Sequence, residues 1–548
     1  MRPFCRPARP LLTLRSHFSK PNTNSSLALR LSSRPLASQS LRIRPTLYPS
    51  TRLLPQRSAV DPIGLFVIAL AFGAAAGYVS DSYLAAQSKT LSPKPEPDIL
   101  AEAVPTTPLD PSIPDMPTAT PPGRPGNLSA DQEAKLREFW LATLEVFGIN
   151  HEESNGASGT STPVTSEDTS AAKKDKKRHG LFGRKHKEDI DSSAGGDDED
   201  KYGQTKEFKQ ALQSQSPEAL RAAFWSMVKH DNPDALLLRF LRARKWDVHN
   251  ALVMLISTMH WRSVEMHVDD DIMLTGEPGA LMASKSGNGS EKREGGDFLA
   301  QLRMGKSFLH GVDKEGRPMC FVRARLHRSG EQTERSLERY TVFTIETARM
   351  LLRSPVDTAT IVFDMTGFSM ANMDYTPVKF MIKCFEANYP ESLGSVLIYK
   401  APGSSKVSGK SSAAGSTPSS RPRALRIHPR NRILKELGGD EDWVYRYAEP
   451  SESEAVKQGG EKDALEAKRR DVVSEYEKET LEWAHGRAKG EGRQALADQL
   501  RDNYWKLDPY VRARSVYDRI GLIGPGGRLD FYPQPGATAG TSADDDVD

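Results

Sequence analysis

Residues 358–402, TATIVFDMTGFSMANMDYTPVKFMIKCFEANYPESLGSVLIYKAP, contain two short apolar runs on either side of a stretch with helical spacing. The first run, IVFDM, is followed by Gly367, and the second is VLIY. Between them apolar side chains recur at positions that share one side of a helix, namely Phe380, Ile382, Cys384 and Phe385. Two apolar strands joined by an amphipathic helix at this spacing predict a right-handed parallel βαβ unit.

The preceding segments extend this prediction to a larger α/β fold. Residues 305–327, GKSFLHGVDKEGRPMCFVRARLH, predict two strands around a turn at Asp313 to Gly316. A long amphipathic helix is expected at residues 337–354, and residues 207–262 carry the spacing of several further helices. The fold class predicted is therefore α/β, with an N-terminal helical subdomain followed by a sheet-containing lobe.

The N-terminus has the composition of a targeting signal followed by a membrane-spanning segment. Residues 1–60 contain ten Arg, one Lys and no acidic residue. That is typical of a mitochondrial transit peptide, with a basic disordered arm as the alternative. Residues 63–79 form an uncharged run near the lower limit of the roughly 17–25 residues that cross a bilayer. We therefore predict a transmembrane helix at residues 61–80, with a buried core helix as the alternative.

Composition limits what the rest of the chain can be. Hydrophobic residues make up 37% of the 548 residues, which together with 37 Pro and 41 Gly favours one principal core and long disordered segments. The net charge is +3, but residues 61–548 alone carry about −8, so nucleic-acid binding is not expected. Cys5, Cys320 and Cys384 form no CxxC pair, so we predict neither a disulfide framework nor a metal site.

Low-complexity segments divide the chain before the lobe. We predict a Pro-rich linker at residues 81–128 and a helical part at residues 129–262, with a disordered insertion at 151–205. The basic cluster in that insertion, Lys173 to Lys187, is either a contact with anionic lipid or a solvated loop.

The lobe is expected at residues 296–449, with an atypical polar segment at 403–432. Residues 450–533 are expected to form a helical C-terminal extension. Residues 451–503 within it are charged, and a sparse apolar stripe predicts a helix that packs on the lobe, with a short coiled coil as the alternative. The stripe consists of Leu465, Val472, Val473, Tyr476, Leu481 and Trp483. Residues 534–548 are expected to be a disordered tail.

Five segments, in this order, resemble the CRAL-TRIO lipid-binding family and its fungal phosphatidylinositol transfer proteins. They are LLLRFLRARKWDV…HWR from residue 236, DKEGRPMCFVR from 313, VFDMTGFSMANMD from 362, NYPESLGSVLIYKAP from 388 and KELGGDEDWVYRY from 435. A sixth, NYWKLDPYVRARSVYDRIGLI from residue 503, is similar to the C-terminal extension of one fungal branch. The resemblance implies a mixed, mostly parallel sheet with helices around an apolar pocket, closed by a mobile gating helix.

The resemblance also implies which residues bind the lipid. Arg244 and Lys245 fall where the family places basic groups near an inositol headgroup, Glu391 matches a carboxylate of that site, and Ser369 matches a hydroxyl that contacts phosphocholine. The alternatives are a surface basic turn, a structural salt bridge and a turn residue, respectively. We expect the pocket to be lined by Phe343, Phe363, Met365, Phe380 and Leu397. Asp364 lacks a His, metal or phosphate loop nearby, so turn capping is a better interpretation than catalysis.

One segment departs from the family. After YKAP the family continues with an aromatic-rich gating helix, whereas this chain continues with residues 403–432, rich in Ser, Gly and basic residues. Three explanations remain open: a divergent protein with an open pocket, a gene prediction that has lost an exon, or an isoform that no longer transfers lipid.

The function predicted is a membrane-tethered protein that holds one phospholipid, phosphatidylinositol or a phosphatidylcholine-like lipid, and exchanges it with membranes. A lipid-sensing scaffold that does not transfer is the alternative. An enzyme is not expected, because the chain has no GxSxG, HExxH or Walker motif. Besides the bound phospholipid we expect no cofactor, and the protein is expected to be a monomer. The predicted location is the inner mitochondrial membrane with the domain in the intermembrane space, or alternatively the endoplasmic reticulum or outer mitochondrial membrane facing the cytosol.

Overall fold

The computed structural model describes residues 119–149, 200–400 and 430–533. Five helices form the N-terminal helical part, as the sequence predicts: α1 (Ala130–Val146), α2 (Gln204–Ser214), α3 (Pro217–Val228), α4 (Pro233–Ala243) and α5 (Val248–His260). Ser129 forms a capping box with Gln132 at the start of α1, and Asn232 caps α4 just before a proline at its first position. Two further helices, α6 (Met273–Ser286) and α7 (Gly289–Arg303), lead to the sheet.

The sheet has four strands in the order β1-β2-β3-β4: β1 (Ser307–Val312), β2 (Pro318–Arg323), β3 (Ala359–Asp364) and β4 (Leu393–Tyr399). β1 and β2 form the predicted antiparallel hairpin, whereas β2, β3 and β4 pair in parallel. Helix α8 (Glu334–Arg349) precedes β3, and α9 (Tyr375–Lys383) connects β3 to β4. The predicted βαβ unit and the mixed, mostly parallel sheet are therefore confirmed.

Each face of the sheet belongs to a different apolar cluster. On one face Leu309, Ile361 and Phe363 pack with the end of α8 and with side chains near the C-terminus. The opposite face, which includes Phe308 and Phe321, is covered by residues 433–445. Because side chains alternate along a strand, neighbouring residues of one apolar run enter different clusters.

The C-terminal extension contains α10 (Gly460–Ala484), α11 (Arg493–Val511) and α12 (Val516–Arg519). Tyr476 of α10 packs against Trp140 of α1, with ring centroids 5.8 Å apart. The buried Glu477 carboxylate accepts hydrogen bonds from Arg221 and from the Trp225 indole at 2.6 and 2.7 Å. The prediction that this helix packs on the lobe is therefore wrong, because its apolar stripe and its buried carboxylate both find their partners in the helical part.

Residues 119–127 form a short ordered strap rather than flexible linker. Within it, Gly123 and Asn127 are joined by a backbone hydrogen bond of 2.9 Å. The Arg124 guanidinium pairs with Asp357 at 3.1 Å, and a Cβ on Gly123 would lie 3.3 Å from the Trp246 ring. The folded domain therefore begins about ten residues before the predicted linker boundary.

Several predicted segments lie outside the described residues. They are the basic arm at 1–60, the transmembrane helix at 61–80, most of the linker, nearly all of the insertion at 151–205, residues 403–429 of the polar segment, and the tail at 534–548. Among the helices of the described ranges, none combines the length and apolar character needed to cross a membrane.

Candidate functional site

Glu391 lies just before β4, at the end of the sheet where β3 and β4 begin. Its backbone carbonyl accepts a hydrogen bond from Arg239 Nη1 at 3.0 Å, and its carboxylate lies 3.7 Å from Arg242 Nε. The backbone of Glu391 is in the left-handed region, with φ of +55°. A non-glycine residue is found there only where its surroundings hold it, and such strain is concentrated at functional sites.

Asp357 links this cluster to the strap. Arg242 Nη2 and Arg124 Nε both lie 3.1 Å from Asp357 Oδ2. Burial opposes ionisation of Asp357, but Arg239, Arg124 and Arg242 outweigh it and lower the pKa of the carboxyl. Burial also disfavours the charged form of Arg242, and because that form is the protonated one, the pKa of Arg242 falls to about 10. The cluster is a partly desolvated set of three guanidinium groups and two carboxylates.

The predicted basic pair lies in the turn that follows α4. Arg244 Nη2 donates to Gln204 Oε1 at 2.6 Å, so its guanidinium is directed to the start of α2. Lys245 is exposed and, like the neighbouring Trp246, has a positive φ. Within the described residues, Arg242 is thus the cation at ion-pair distance from the Glu391 carboxylate, in place of the predicted Arg244 and Lys245.

Sequence reasoning therefore missed Arg239, Arg242 and Asp357 as members of this cluster. The spacing of Arg239 and Arg242 was a usable signal, because residues three apart share one side of a helix. Their carboxylate partners lie more than a hundred residues away in the chain, and only the folded structure brings them together.

Ser369 lies at the opposite end of the sheet. It follows β3 and starts a short helical turn, Met370–Asn372, in which the Ser369 hydroxyl donates to Asn372 Oδ1 at 2.9 Å. Because β3 and β4 are parallel, Glu391 and Ser369 are separated by the length of a strand, roughly 20 Å at 3.3 Å per residue. The structure brings Glu391 near α4 but does not bring Ser369 to the same place.

The five predicted pocket-lining residues belong to three apolar clusters. Phe343 and Phe380 pack with residues of α6 and α7, Phe363 and Met365 lie in the cluster on one face of the sheet, and Leu397 packs on the other face. Phe343, Phe363 and Met365 are buried, whereas Phe380 and Leu397 are half-buried. The described residues therefore do not present these five side chains as one surface.

A different set of apolar side chains is continuous and only half-buried. Helix α9, all of which is described, contains no buried residue although it is amphipathic. Half-buried side chains of α9 and its flanks pack against the cluster of Ile361 and Phe363, together with the β4 residues on that face. We refer to these residues as the α9 apolar surface: Phe368, Met373, Val378, Met381, Phe385, Val396 and Ile398.

Polar groups adjoin this surface at the carboxyl ends of the strands. Asp364 Oδ1 accepts a hydrogen bond from the Thr366 amide at 2.9 Å, which is the predicted turn cap, and its carboxylate also pairs with Arg325. The buried Lys306 amine donates to Gln332 at 2.8 Å and contacts His327 Nδ1 at 3.2 Å. Burial lowers the pKa of Lys306 to about 8.

His327 is itself held by Asp374, the N-cap residue of α9, at 3.2 Å from Nε2. Burial lowers the pKa of His327, and the nearby Lys306 lowers it further. The two cysteines in the described ranges, Cys320 and Cys384, are buried, and burial raises the pKa of the Cys320 thiol to about 12. The described ranges contain no cluster of three or more His, Cys, Asp or Glu side chains suited to a metal ion.

Comparison with known proteins adds to this geometry. The CRAL/TRIO N-terminal domain profile matches residues 204–257, and the CRAL/TRIO domain profile matches residues 302–412. A CRAL-TRIO domain-containing protein of Schizosaccharomyces pombe is 42% identical over 428 residues, covering 74% of this chain and 93% of that protein. The chain belongs to the CRAL-TRIO family. Phosphatidylinositol transfer protein CSR1 of Eremothecium gossypii is 33% identical over 451 residues, covering 73% of this chain and 98% of that protein.

The CRAL-TRIO matches coincide with the structural elements described above. The N-terminal match spans α2 to α5, and the second match begins at the end of α7 and includes all four strands, α8 and α9. The resemblance drawn from the sequence segments is therefore confirmed. The α9 apolar surface and the ends of β3 and β4 all lie inside the matched lobe.

Proposed function

We propose that this chain binds one phospholipid against the α9 apolar surface and exchanges it with membranes. The observation that carries the proposal is the half-buried state of that surface within a CRAL-TRIO lobe. Each methylene removed from water is worth about 0.8 kcal/mol, so acyl chains gain substantially by covering these side chains. The name of the Eremothecium gossypii relative, a phosphatidylinositol transfer protein, supports the same class of ligand.

The headgroup needs polar partners, because a buried phosphate without them would be too costly. We propose Arg244, Lys245 and Glu391 as the partners of an inositol headgroup, and Ser369 as a partner of phosphocholine. Glu391 is held by Arg239 and Arg242, which supports a preformed rather than an adaptable site. The ligand is thus phosphatidylinositol or a phosphatidylcholine-like lipid, and no bond-making step is involved.

We further propose that residues 61–80 anchor the protein in a membrane, with residues 1–60 directing it to mitochondria. The acid-free, Arg-rich composition of the arm and the uncharged run after it support this assignment. The inner membrane, with the domain in the intermembrane space, is the preferred location. The endoplasmic reticulum or the outer mitochondrial membrane, facing the cytosol, is the alternative.

A lipid-sensing scaffold is the second candidate, and the strap favours it. Arg124 of the strap pairs with Asp357, and Arg242 of α4 donates to the Gly123 carbonyl at 2.8 Å, so the Glu391 cluster holds the strap. A lobe held in this way could present a bound lipid at one membrane without carrying it to another.

A transfer assay separates the two candidates. The full-length chain is compared with a Met381→Gln variant, which places an amide on the α9 apolar surface, and with a Leu212→Gln control on α2. Fluorescent phosphatidylinositol and phosphatidylcholine are followed from donor to acceptor vesicles. We expect transfer by wild type and the control, and a loss of at least about tenfold in the variant.

The remaining outcomes each have one meaning. Wild-type protein that binds lipid but does not accelerate transfer supports the scaffold. Protein that neither binds nor transfers either lipid contradicts the proposal. Equal transfer by Met381→Gln and wild type would place the lipid somewhere other than the α9 apolar surface.

A further inference from the structure

Two large apolar side chains are exposed to solvent at one end of the lobe. Met370, in the segment that follows β3, is 55% exposed, and Tyr375, the first residue of α9, is 60% exposed. Most side chains of this size are at least partly covered in a folded domain, so two of them close together suggest a contact surface. We refer to residues 366–376 as the β3 tip.

Met370 and Tyr375 are exposed on a turn whose backbone is held by several hydrogen bonds. The Asn372 amide nitrogen donates to the carbonyls of Arg325 and His327, both at 2.9 Å. Ser369 and Asn372 cap each other, and Asp374 caps the first turn of α9 while it binds His327. These bonds fix the backbone on both sides of Met370 and Tyr375, so their side chains remain directed outward.

Basic groups flank the two apolar side chains. Lys379 is exposed one turn after Tyr375 on α9, and Arg328 is exposed on the loop that His327 ties to the tip. The only carboxylate within ion-pair distance of Arg328 in the described ranges is the exposed Glu331, at 3.9 Å. A tyrosine and a methionine between cationic side chains have the composition of a surface that meets anionic headgroups.

The tip is continuous with the proposed lipid site. Phe368 and Met373, on either side of Met370, are half-buried and pack against the cluster that contains Ile361 and Phe363. Phe368 and Met373 belong both to the β3 tip and to the α9 apolar surface, so the two surfaces adjoin each other, with the Asp374 carboxylate beside them bound to His327.

We propose that the β3 tip docks into the interface of an anionic bilayer, with Met370 and Tyr375 at the level between headgroups and acyl chains. Lys379 and Arg328 contact the phosphates, and a lipid reaches the α9 apolar surface along Phe368 and Met373. This inference rests on the proposed lipid exchange, and it specifies where the membrane meets the domain.

The position of the strap on the lobe can be compared with that of the β3 tip. Asp357 immediately precedes β3, and the β3 tip follows it, so the strap joins the lobe about one strand length from the docking surface. The tip consequently lies at the end of the lobe opposite the contact between Arg124 of the strap and Asp357. A lobe of this design can contact a membrane with the tip while the strap lies at its other end.

A fluorescence measurement on the full-length chain tests the docking directly. Cys320 and Cys384 are buried, so a Cys5→Ser background allows a single environment-sensitive fluorophore to be attached at Met370→Cys. The matched control carries the same fluorophore at Leu212→Cys, on α2. Vesicles of phosphatidylcholine with phosphatidylserine are then added, and brominated lipids are used to test for contact with the acyl region.

We expect the fluorophore at residue 370 to brighten, shift to the blue and be quenched by brominated lipid, while that at residue 212 does not respond. Absence of a response at 370, or an equal response at 212, would overturn the proposal. A fluorophore at 370 that is already shifted before vesicles are added would also overturn it, because a segment of the chain itself would then cover the tip.

A functional variant links docking to exchange. In Met370→Ser/Tyr375→Ser, we expect transfer between vesicles to fall by at least about tenfold, while the amount of phospholipid that co-purifies with the chain stays unchanged. Unchanged transfer would overturn the proposed route. Loss of lipid from wild type and variant alike would instead contradict the proposed function, so the two failures are distinguishable.

Discussion

The substitution Glu346→Gln tests how the helical part is joined to the lobe. Glu346 is on α8, is 0% exposed, and accepts hydrogen bonds from Arg262 at 2.6 Å and Arg349 at 3.1 Å. Lys229 lies 3.6 Å from its carboxylate, and Asp269 pairs with both Lys229 and Arg262. Three cations and two carboxylates thus meet between α3, the segment after α5, and α8.

The loss of unfolding free energy expected for Glu346→Gln follows from these ion pairs. At an effective dielectric constant near 20, one ion pair at 2.6 Å is worth about 6 kcal/mol before desolvation is subtracted. Glutamine keeps the shape but removes the negative charge, which leaves the buried Arg262 and Lys229 with Asp269 as their remaining carboxylate partner among the described residues. Breaking a buried pair in this way costs about 3–5 kcal/mol of the free energy of unfolding. Urea unfolding followed by circular dichroism measures it, provided that the transition is two-state.

The pH dependence has a defined sign. Burial opposes ionisation of Glu346, but Arg262, Arg349 and Lys229 outweigh it and hold the pKa well below the ordinary value of 4.5. The stabilisation by the carboxylate is therefore complete above that ordinary value and is lost as the pH falls towards the folded-state pKa. Glu334→Gln, in the exposed first turn of the same helix, is the control and should cost less than about 1 kcal/mol. A cost below 1 kcal/mol for Glu346→Gln as well would refute the reasoning.

Three further predictions concern the sheet, the buried lysine and the C-terminal extension. Phe363→Ala should lower the free energy of unfolding in urea by about 3–5 kcal/mol, because the ring is buried. Ile398→Ala, on the half-buried α9 apolar surface, should lower it by about 1 kcal/mol. The same variant should also lower the phospholipid occupancy measured by native mass spectrometry. Lys306→Met should be more stable than wild type by up to about 3 kcal/mol at pH 8 and below. This difference in the free energy of unfolding should shrink as the pH rises from 8 towards 10.5, because in that range the folded protein has lost the lysine proton and the unfolded protein keeps it. Unfolding at a series of pH values measures the difference. Removal of residues 460–533 should unfold the helical part, because α10 and α11 contribute to its core, and loss of protection in hydrogen exchange would report it.

Each of these predictions has a contrary result. Equal stability costs for Phe363→Ala and Ile398→Ala would mean that the α9 apolar surface is ordinary core. A difference between wild type and Lys306→Met that does not vary above pH 8 would mean that the amine is charged and hydrated in the folded state. A truncated chain that keeps the protection of the helical part would show that the extension is dispensable.

Local patterns in the sequence were sufficient to predict the elements of the fold. The hairpin around Asp313 and the βαβ unit of β3, α9 and β4 are specified by turn residues, by short apolar runs and by helical spacing, all within about 45 residues. The order of the sequence segments was also sufficient to indicate the family. These signals are local, and the structure preserves them.

Contacts between distant segments could not be predicted in this way. The run VLIY is apolar on both sides, so the sequence does not tell which face Leu397 meets, and the structure places Leu397 and Ile398 in different clusters. The stripe on α10 could fit several apolar faces, and it is the buried Glu477, with Arg221 as partner, that matches it to the helical part.

The predicted headgroup residues illustrate the same limit. Their positions followed from matched segments, but the partner of Glu391 depends on how α4 lies against the turn before β4. Arg242, rather than Arg244 or Lys245, is the residue that reaches the Glu391 carboxylate. Side-chain direction along a helix decides this, and it is set by tertiary packing.

The most direct test of the central claim is native mass spectrometry of the full-length chain purified in mild detergent, with extraction and identification of the bound lipid. We expect one phospholipid per chain, enriched in phosphatidylinositol or phosphatidylcholine relative to the membranes of the cells that produced it, and lower occupancy in Ile398→Ala than in wild type. A chain that carries no lipid, or lipid in the proportions of the surrounding membrane with equal occupancy in the variant, would contradict it.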